Sequence, residues 1–331
     1  MIAVRRRPDV TVLVTGREPD PADALAALAD QTLRRRHPDA VQVLAPGADP
    51  AGRYLLHLDA ADRAAPEALQ RLVDLADRTG ADVVLGRTGG DADPPPPGWA
   101  LGGIALLRRE LLERHALRHR ADLPVDARLP FTLEACLRAH RVAVLDDYDC
   151  LRPPRPDPGA ATARARHEDR LRALAAALTI AEQLAEPGTE LTALRARLLG
   201  WDLPRLLRPD FLTLDEPVQR RVCAGVGRLV DHHGDPAALQ HLTVRDRLRL
   251  DLARRGRIAA LRRLIRYQAA YGELLAPRIL GTPEPPATPS PPTPSLPLQV
   301  WRGLVPPQVR RSLRRRPVWL GFAQRAYARW G

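Results

Sequence analysis

The chain contains no lysine and no asparagine, a single methionine, three cysteines and only 4% aromatic residues. Codons for lysine and asparagine are AT-rich, so a GC-rich coding sequence is the simplest source of that gap. It alters the chemistry of the cations without altering their charge. The three cysteines, Cys136, Cys150 and Cys223, are odd in number and follow no metal-binding or redox spacing. That excludes a disulfide framework and reads as reduced thiols. The basic start, Met1 to Pro8, is not followed by the apolar run that a signal peptide needs. No stretch approaches the ~20 apolar residues of a membrane span. The expected location is the cytoplasm, with the inner face of the membrane as a peripheral site. No Gly-x-Gly-x-x-Gly, phosphate-binding loop, serine nucleophile elbow or internal repeat is present.

The charge is what the chain does have. All 51 basic residues are arginine, and the net charge is +12 over 331 residues. Residues 301–331 hold eight arginines and no carboxylate, which leaves +4 for the other 300. The excess is a property of the tail and points there to an anionic partner. After Pro317, the residues Trp319, Phe322, Ala323, Ala326, Tyr327 and Trp330 share one helical face. Such a helix suits either an anionic membrane surface or docking on the body of the protein. Nucleic acid is the weaker expectation, because no recognition module accompanies the arginines.

The pattern along the chain divides it into four. Residues 1–158 alternate strands and helices. Strands are expected at 10–15, 40–45, 54–58, 82–85, 103–107 and 142–145. Helices are expected at 21–33, 66–79, 109–115 and 132–139. This alternation implies an α/β fold with a mostly parallel sheet. Residues 159–276 read as all-helical, with helices at 168–185, 189–199 stopped by Gly200, 215–232, 243–254 and 258–274. Thr243 with Asp246 forms the start signal of the fourth, and Gly256 its stop. Residues 277–298 are a proline-rich linker, and 299–331 are the basic amphipathic tail.

Several segments, in order, carry a family likeness. Val10–Thr15 has the look of a first strand, and residues 24–33 end in Asp-Gln-Thr-Leu. Leu58-Asp59-Ala60-Ala61-Asp62 is an acidic turn after a buried strand. Residues 106–112 and 141–145 follow as a later segment and a closing strand. Together these resemble family 2 glycosyltransferases, which implies a reduced glycosyltransferase-A-type (GT-A) domain. The helical part, residues 167–271, is similar to extensions of enzymes that build or decorate teichoic-acid-like wall polymers. The resemblance implies sugar transfer from a nucleotide-diphosphate sugar to a cell-wall or surface polymer. Mg or Mn would neutralise the leaving diphosphate and a carboxylate would deprotonate the acceptor.

Residue by residue, the implied site is incomplete. The family motif Leu-Asp-x-Asp-Asp is matched at Asp59 and Asp62, the implied metal ligands, but Ala61 stands where a further carboxylate belongs. Asp49 is the one carboxylate in the turn after the second strand and, with Asp59, the implied nucleotide contact. The chain then enters the next strand without the family's intervening helix–strand–helix, so the sheet is expected to lack an edge strand. No acid stands at Leu129–Thr132, where the base belongs, and Asp126 is the nearest candidate base. The rival expectation is a non-catalytic descendant, an adaptor that binds membrane, acidic polymer or an active homologue. His232-His233 reads as a solvated helix C-terminus. Nearby ligands at zinc spacing are absent, and His115 with His119 makes no zinc helix.

Overall fold

The computed structural model describes residues 8–15, 22–44, 49–60, 62–89, 101, 103–120, 122–123, 127–152, 160–239 and 242–271. The proline-rich linker, the basic tail, Ala61 and Asp126 lie outside them. The described residues form two compact units. One runs to His119 and resumes at Phe131, and the other takes Arg120–Pro130 and the helices from Ala160.

The first unit is α/β. In chain order it contains β1 (Val10–Thr15), α1 (Ala22–Ala29), α2 (Thr32–Arg36), β2 (Val41–Leu44), β3 (Tyr54–Asp59), β4 (Arg63–Ala64), α3 (Ala68–Thr79), β5 (Val83–Thr88), β6 (Ala105–Arg108), α4 (Arg109–Arg114), α5 (Arg128–Arg138) and β7 (Val142–Arg152). The sheet order is β2-β1-β3-β6-β5-β7-β4. Strands β1, β2, β3, β5 and β7 run one way, while β6 and β4 run against them. The sheet is thus mixed and mostly parallel, as the alternating pattern implies. Its register places Val10 opposite Val41 on one side and Tyr54 on the other.

One face of the sheet carries Val10, Val12, Val14, Tyr54, Leu56 and Leu58. It packs on Ala24 and Leu28 of α1, Leu33 of α2 and Leu69, Leu72 and Ala76 of α3. Strand β3 is buried on both faces, which is why Tyr54 to Leu58 reads as an unbroken apolar run rather than an alternating one. Helix α3 closes at Gly80, whose φ of 64° is the left-handed conformation that glycine adopts without strain.

The helix expected over 21–33 is two helices. Gln31 is extended (φ −62°, ψ 132°) and fully buried, and its side chain is drawn into the core between α1 and α3. A buried amide must find partners, and those partners fix the break.

The second unit is helical. It contains α6 (Ala160–Leu184), α7 (Thr189–Arg197), α8 (Leu203–Arg205), α9 (Glu216–His233), α10 (Pro236–Leu239), α11 (Val244–Arg254) and α12 (Ile258–Tyr271). Gly200 does not stop α7. The chain passes through a π-turn, Leu198–Asp202, into α8. Buried Arg197 pairs with Asp202 five residues on, the spacing that a π-turn brings together. Thr243 Oγ1 accepts the Asp246 N–H at 3.1 Å and caps α11. Gly256 (φ 63°) ends that helix, with Arg257 N–H donating to the Leu252 carbonyl. No described helix is long and apolar enough to cross a membrane.

Candidate functional site

Because β1, β2, β3 and β5 are parallel, their carboxyl ends meet one edge of the sheet. In open α/β sheets that edge is where ligands bind. Asp59 is the last residue of β3, in register with Thr15 of β1, and is half-buried. Asp49 follows β2 and is exposed.

Asp59 and Asp62 are brought together, as their spacing implies, but in a particular way. The Asp62 N–H donates to the Asp59 carbonyl at 2.9 Å. In return the Asp62 Oδ2 accepts the Asp59 N–H at 2.9 Å. Asp62 is 7% exposed, so its carboxylate folds back to close the turn. A hard cation such as Mg or Mn is held by one or two carboxylates together with substrate phosphates. One carboxylate oxygen of Asp62 holds the backbone that presents Asp59. Asp59 stands at the carboxyl end of β3.

The exit of the turn is pinned on three sides. Arg63 and Ala64 pair with Arg152 and Leu151 of β7. The Arg63 guanidinium forms an ion pair with Asp23 of α1. Gln31 donates to the carbonyls of Ala65 at 2.8 Å and Ala64 at 3.4 Å, and its Oε1 accepts the Leu69 N–H at 3.1 Å. One buried amide therefore ties the end of the acidic turn to the first turn of α3. The sequence contains its signal, a glutamine between two apolar helical stretches, but periodicity alone assigns it to the surface of one long helix.

A second feature escapes the sequence reading. His57 lies two residues before Asp59 and so on the same face of β3. It is 8% exposed. Its ring stacks on His119 with centroids 4.8 Å apart, and Phe131 meets both at 5.2 and 5.5 Å. This aromatic group anchors the segment after α4 to the sheet close to the candidate edge. His119 packs against His57 and Phe131 here.

The amino ends of the strands are closed by charge rather than open to a ligand. Arg53 bridges Asp9 at 2.8 Å and Asp77 at 3.1 Å. The Tyr54 hydroxyl donates to Asp77 at 2.7 Å. Burial, reinforced by that hydrogen bond, pushes the Tyr54 phenol up to about 12. Burial alone would raise Asp77, but the bonds from Arg53 and Tyr54 outweigh it and hold the carboxyl below its usual range. The three cysteines are buried, and desolvation pushes their thiols up to about 12, 12 and 11. They are inert as nucleophiles.

In the helical unit, Glu182, His232 and His233 place ligand atoms within 4.8 Å of one another. His233 is not the solvated helix end that the sequence suggests. It is 7% exposed, and its Nδ1 lies 2.8 Å from Glu182 Oε1. That same oxygen accepts a bond from Arg195 at 2.5 Å. The guanidinium already supplies the cation, so the cluster is a structural clamp among α6, α7 and α9.

The same two units recur in known proteins. A sequence-family model described as the glycosyl transferase TarS linker domain matches residues 160–265, the helical unit. Solved structures of S. aureus TarS share the fold. Residues 1–349 of that protein in complex with UDP match with a TM-score of 0.56 at 15% identity, over 79% of this chain and 91% of that one. The same fragment in complex with UDP-GlcNAc gives 0.56 at 14%, over 79% and 91%. A longer S. aureus TarS chain gives 0.52 at 17%, over 78% of this chain and 55% of that one. At such identity the likeness establishes the fold. No curated protein sequence matches.

Proposed function

We infer that this chain, with the fold of TarS and a TarS-type linker, is a family 2 glycosyltransferase-like protein of cell-wall or surface-polymer synthesis. The observation that carries the reading is the succession, in one chain, of a mostly parallel sheet of that fold and the linker-domain match at residues 160–265. The donor assigned is a UDP-sugar, because S. aureus TarS has been solved with UDP and with UDP-GlcNAc. Its place is the carboxyl edge of β1, β2, β3 and β5. Asp59 contacts the nucleotide-sugar, Asp62 and Gln31 hold the turn that presents it, and Asp49 contacts the nucleotide. Asp126 is the candidate base by its order in the sequence, ahead of α5. Asp59 and Asp62 would hold the metal, which would neutralise the leaving diphosphate.

A second reading is favoured by the bond from the Asp59 N–H to Asp62. With Asp62 committed to the turn and Ala61 in place of a carboxylate, the chain serves as a non-catalytic partner that retains nucleotide recognition. It would work on the cytoplasmic side of the membrane, beside an active homologue, an acidic polymer or the lipid surface that its tail suits.

Calorimetric titration of the full chain with UDP, with and without Mn, tests both, with GDP and CDP as controls. Saturable, UDP-selective binding supports the site. Sugar transfer to a wall polymer then separates enzyme from partner. A folded protein that binds no nucleotide overturns both readings of the site. In the variant Ala61→Asp, Mn should strengthen UDP binding by about tenfold if one added carboxylate completes the metal set, a gain of ~1.4 kcal/mol.

A further inference from the structure

Helix α12 is built from two unlike faces. Leu261, Leu264, Ile265 and Gln268 point inward and are buried, at 7% exposure or less. Arg249 of α11 donates to Gln268 Oε1 at 2.8 Å and locks the two helices together. Outward lie Arg262, Arg263 and Arg266, with Arg257 just ahead of the helix and Ala259, Ala269 and Ala270 around them. Helix α12 contains no carboxylate.

These arginines differ from those around them. In the same unit Arg254 pairs with Asp231, Arg255 with Asp251, Arg245 with Asp246 and Arg221 with Glu168. The guanidinium groups of Arg257, Arg262, Arg263 and Arg266 have no ion-pair or hydrogen-bond partner among the described residues. Residues 242–271 hold nine arginines and two aspartates. Abundant arginine alone would not single out this face, because the whole chain is lysine-free and arginine-rich. The absence of compensating acid does.

We propose that the outward face of α12 is a docking surface for an anionic lipid bilayer. Arg262 and Arg266 are one helical turn apart, about 6 Å along the axis, with Arg263 beside them. Such a ridge presents a row of positive charges to a plane of phosphates. Small alanines between the arginines leave their approach open. No nucleic-acid recognition module accompanies the arginines, which disfavours nucleic acid. Being a ridge rather than a groove, it does not enclose a polymer strand. Charge complementarity continues along the sequence, since residues 272–331 add nine arginines and two glutamates. No large hydrophobic side chain is fully exposed among the described residues of this helix, so binding is electrostatic and does not require insertion.

The test uses the full chain and needs no nucleotide, so its outcome is independent of the proposed transferase site. Co-sedimentation is measured with neutral phosphatidylcholine vesicles and with vesicles containing about 30% phosphatidylglycerol, the anionic surface on which each arginine counts. Wild type should bind only the anionic vesicles and release them at high salt. Replacing Arg262, Arg263 and Arg266 together by serine should weaken binding by about tenfold or more. The matching triple lysine variant, which retains the charge, should bind much as wild type does. Should the triple serine variant lose helicity, Arg263→Ser with Arg266→Ser, both at exposed positions, provides the same comparison. Unchanged binding by the serine variants, equal binding to neutral vesicles, or loss in the lysine variant would each overturn the proposal. So would soluble polyphosphate binding that depends on these arginines while vesicle binding does not.

Discussion

The two units differ in how often side-chain pairs hold their buried polar groups. The α/β unit buries single neutral or turn-closing groups, Thr11, Gln31 and Asp62, each bonded to backbone near a connection between strands and helices. The helical unit also bonds the buried Gln219 amide to backbone, but it adds side-chain pairs between neighbouring turns or helices, Arg197 with Asp202 and His233 with Glu182. The difference follows from what each must fix. A sheet edge that carries a ligand site depends on loop conformation, and backbone bonds set that. A stack of helices already satisfies its own backbone, so what remains to be specified is which helix meets which, and side-chain pairs can do that. Damage to a connection should therefore cost the α/β unit its site. The same kind of damage in the helical unit should cost only stability.

Gly52 offers the sharpest break. It lies in the short connection from β2 to β3, donates its N–H to Thr11 Oγ1 at 2.8 Å, and touches β1. A Cβ there would stand 2.6 Å from the Thr11 backbone nitrogen and 2.9 Å from the Tyr54 carbonyl oxygen. Backbone cannot rotate away, so Gly52→Ala should cost about 3 kcal/mol, the upper end of overpacking. Urea unfolding should show it, and hydrogen exchange should locate the loss in β1, β2 and β3. Full protection of those strands in the variant would refute the account of the connection.

Gln31→Leu comes next. It keeps the bulk but removes the donor to the Ala64 and Ala65 carbonyls and the acceptor of the Leu69 N–H. Buried groups left unsatisfied cost ~1–3 kcal/mol each, less after relaxation, and about 2 kcal/mol is expected in all. Nucleotide affinity should fall with it at a temperature where the variant is fully folded, because the acidic turn loses its anchor. Lost stability with unchanged UDP affinity would reduce Gln31 to a core residue.

Gly225 is the counterpart in the helical unit and should matter less. A Cβ would come 2.0 Å from Leu171 Cδ2, a closer approach than any at Gly52, yet the obstacle is the end of a side chain that can change rotamer. Gly225→Ala should cost about 1 kcal/mol at α6 and α9, measured by thermal unfolding. It should leave nucleotide binding untouched. A larger loss than at Gly52 would reverse the comparison.

What the sequence disclosed falls along the same divide. Strands buried on both faces announced themselves as β-branched and leucine runs, and β1 was legible to the residue. Helix ends signalled by Thr243 and Gly256 were legible because capping is local chemistry. The break at Gln31 and the π-turn after Arg197 were not. Each depends on a partner that periodicity cannot see: backbone carbonyls more than thirty residues away for Gln31, a pair on the next turn for Arg197. In the candidate site, the nearness of Asp59 and Asp62 followed from spacing. The direction in which Asp62 turns did not, since two carboxylates three apart can converge on a cation or close a turn. His57 was hidden by its strand, where an apolar context gave no hint of a stacked partner sixty-two residues on.

Acid provides the gentlest test, because each unit contains a carboxylate held below its ordinary range by its hydrogen-bond partners, Glu182 in the helical unit and Asp77 in the α/β unit. In the helical unit, burial pushes Glu182 up, but the bonds from His233 and Arg195 prevail. In the α/β unit the same balance lowers Asp77. A depressed carboxyl contributes stability that is whole above its unfolded pKa and is lost as pH falls through its folded one. The reference values are 4.5 for Glu182 and 3.8 for Asp77, so on acidification the helical unit should loosen first. Both groups are partly solvated, so each effect is small. Glu182→Gln should flatten the earlier part of the pH profile and Asp77→Asn the later part, as read by hydrogen exchange in each unit between about pH 5 and pH 3. If Asp77→Asn flattened the earlier part instead, the amino-end clamp rather than the helix pair would be the more acid-labile, and the contrast between the units' uses of charge would fail.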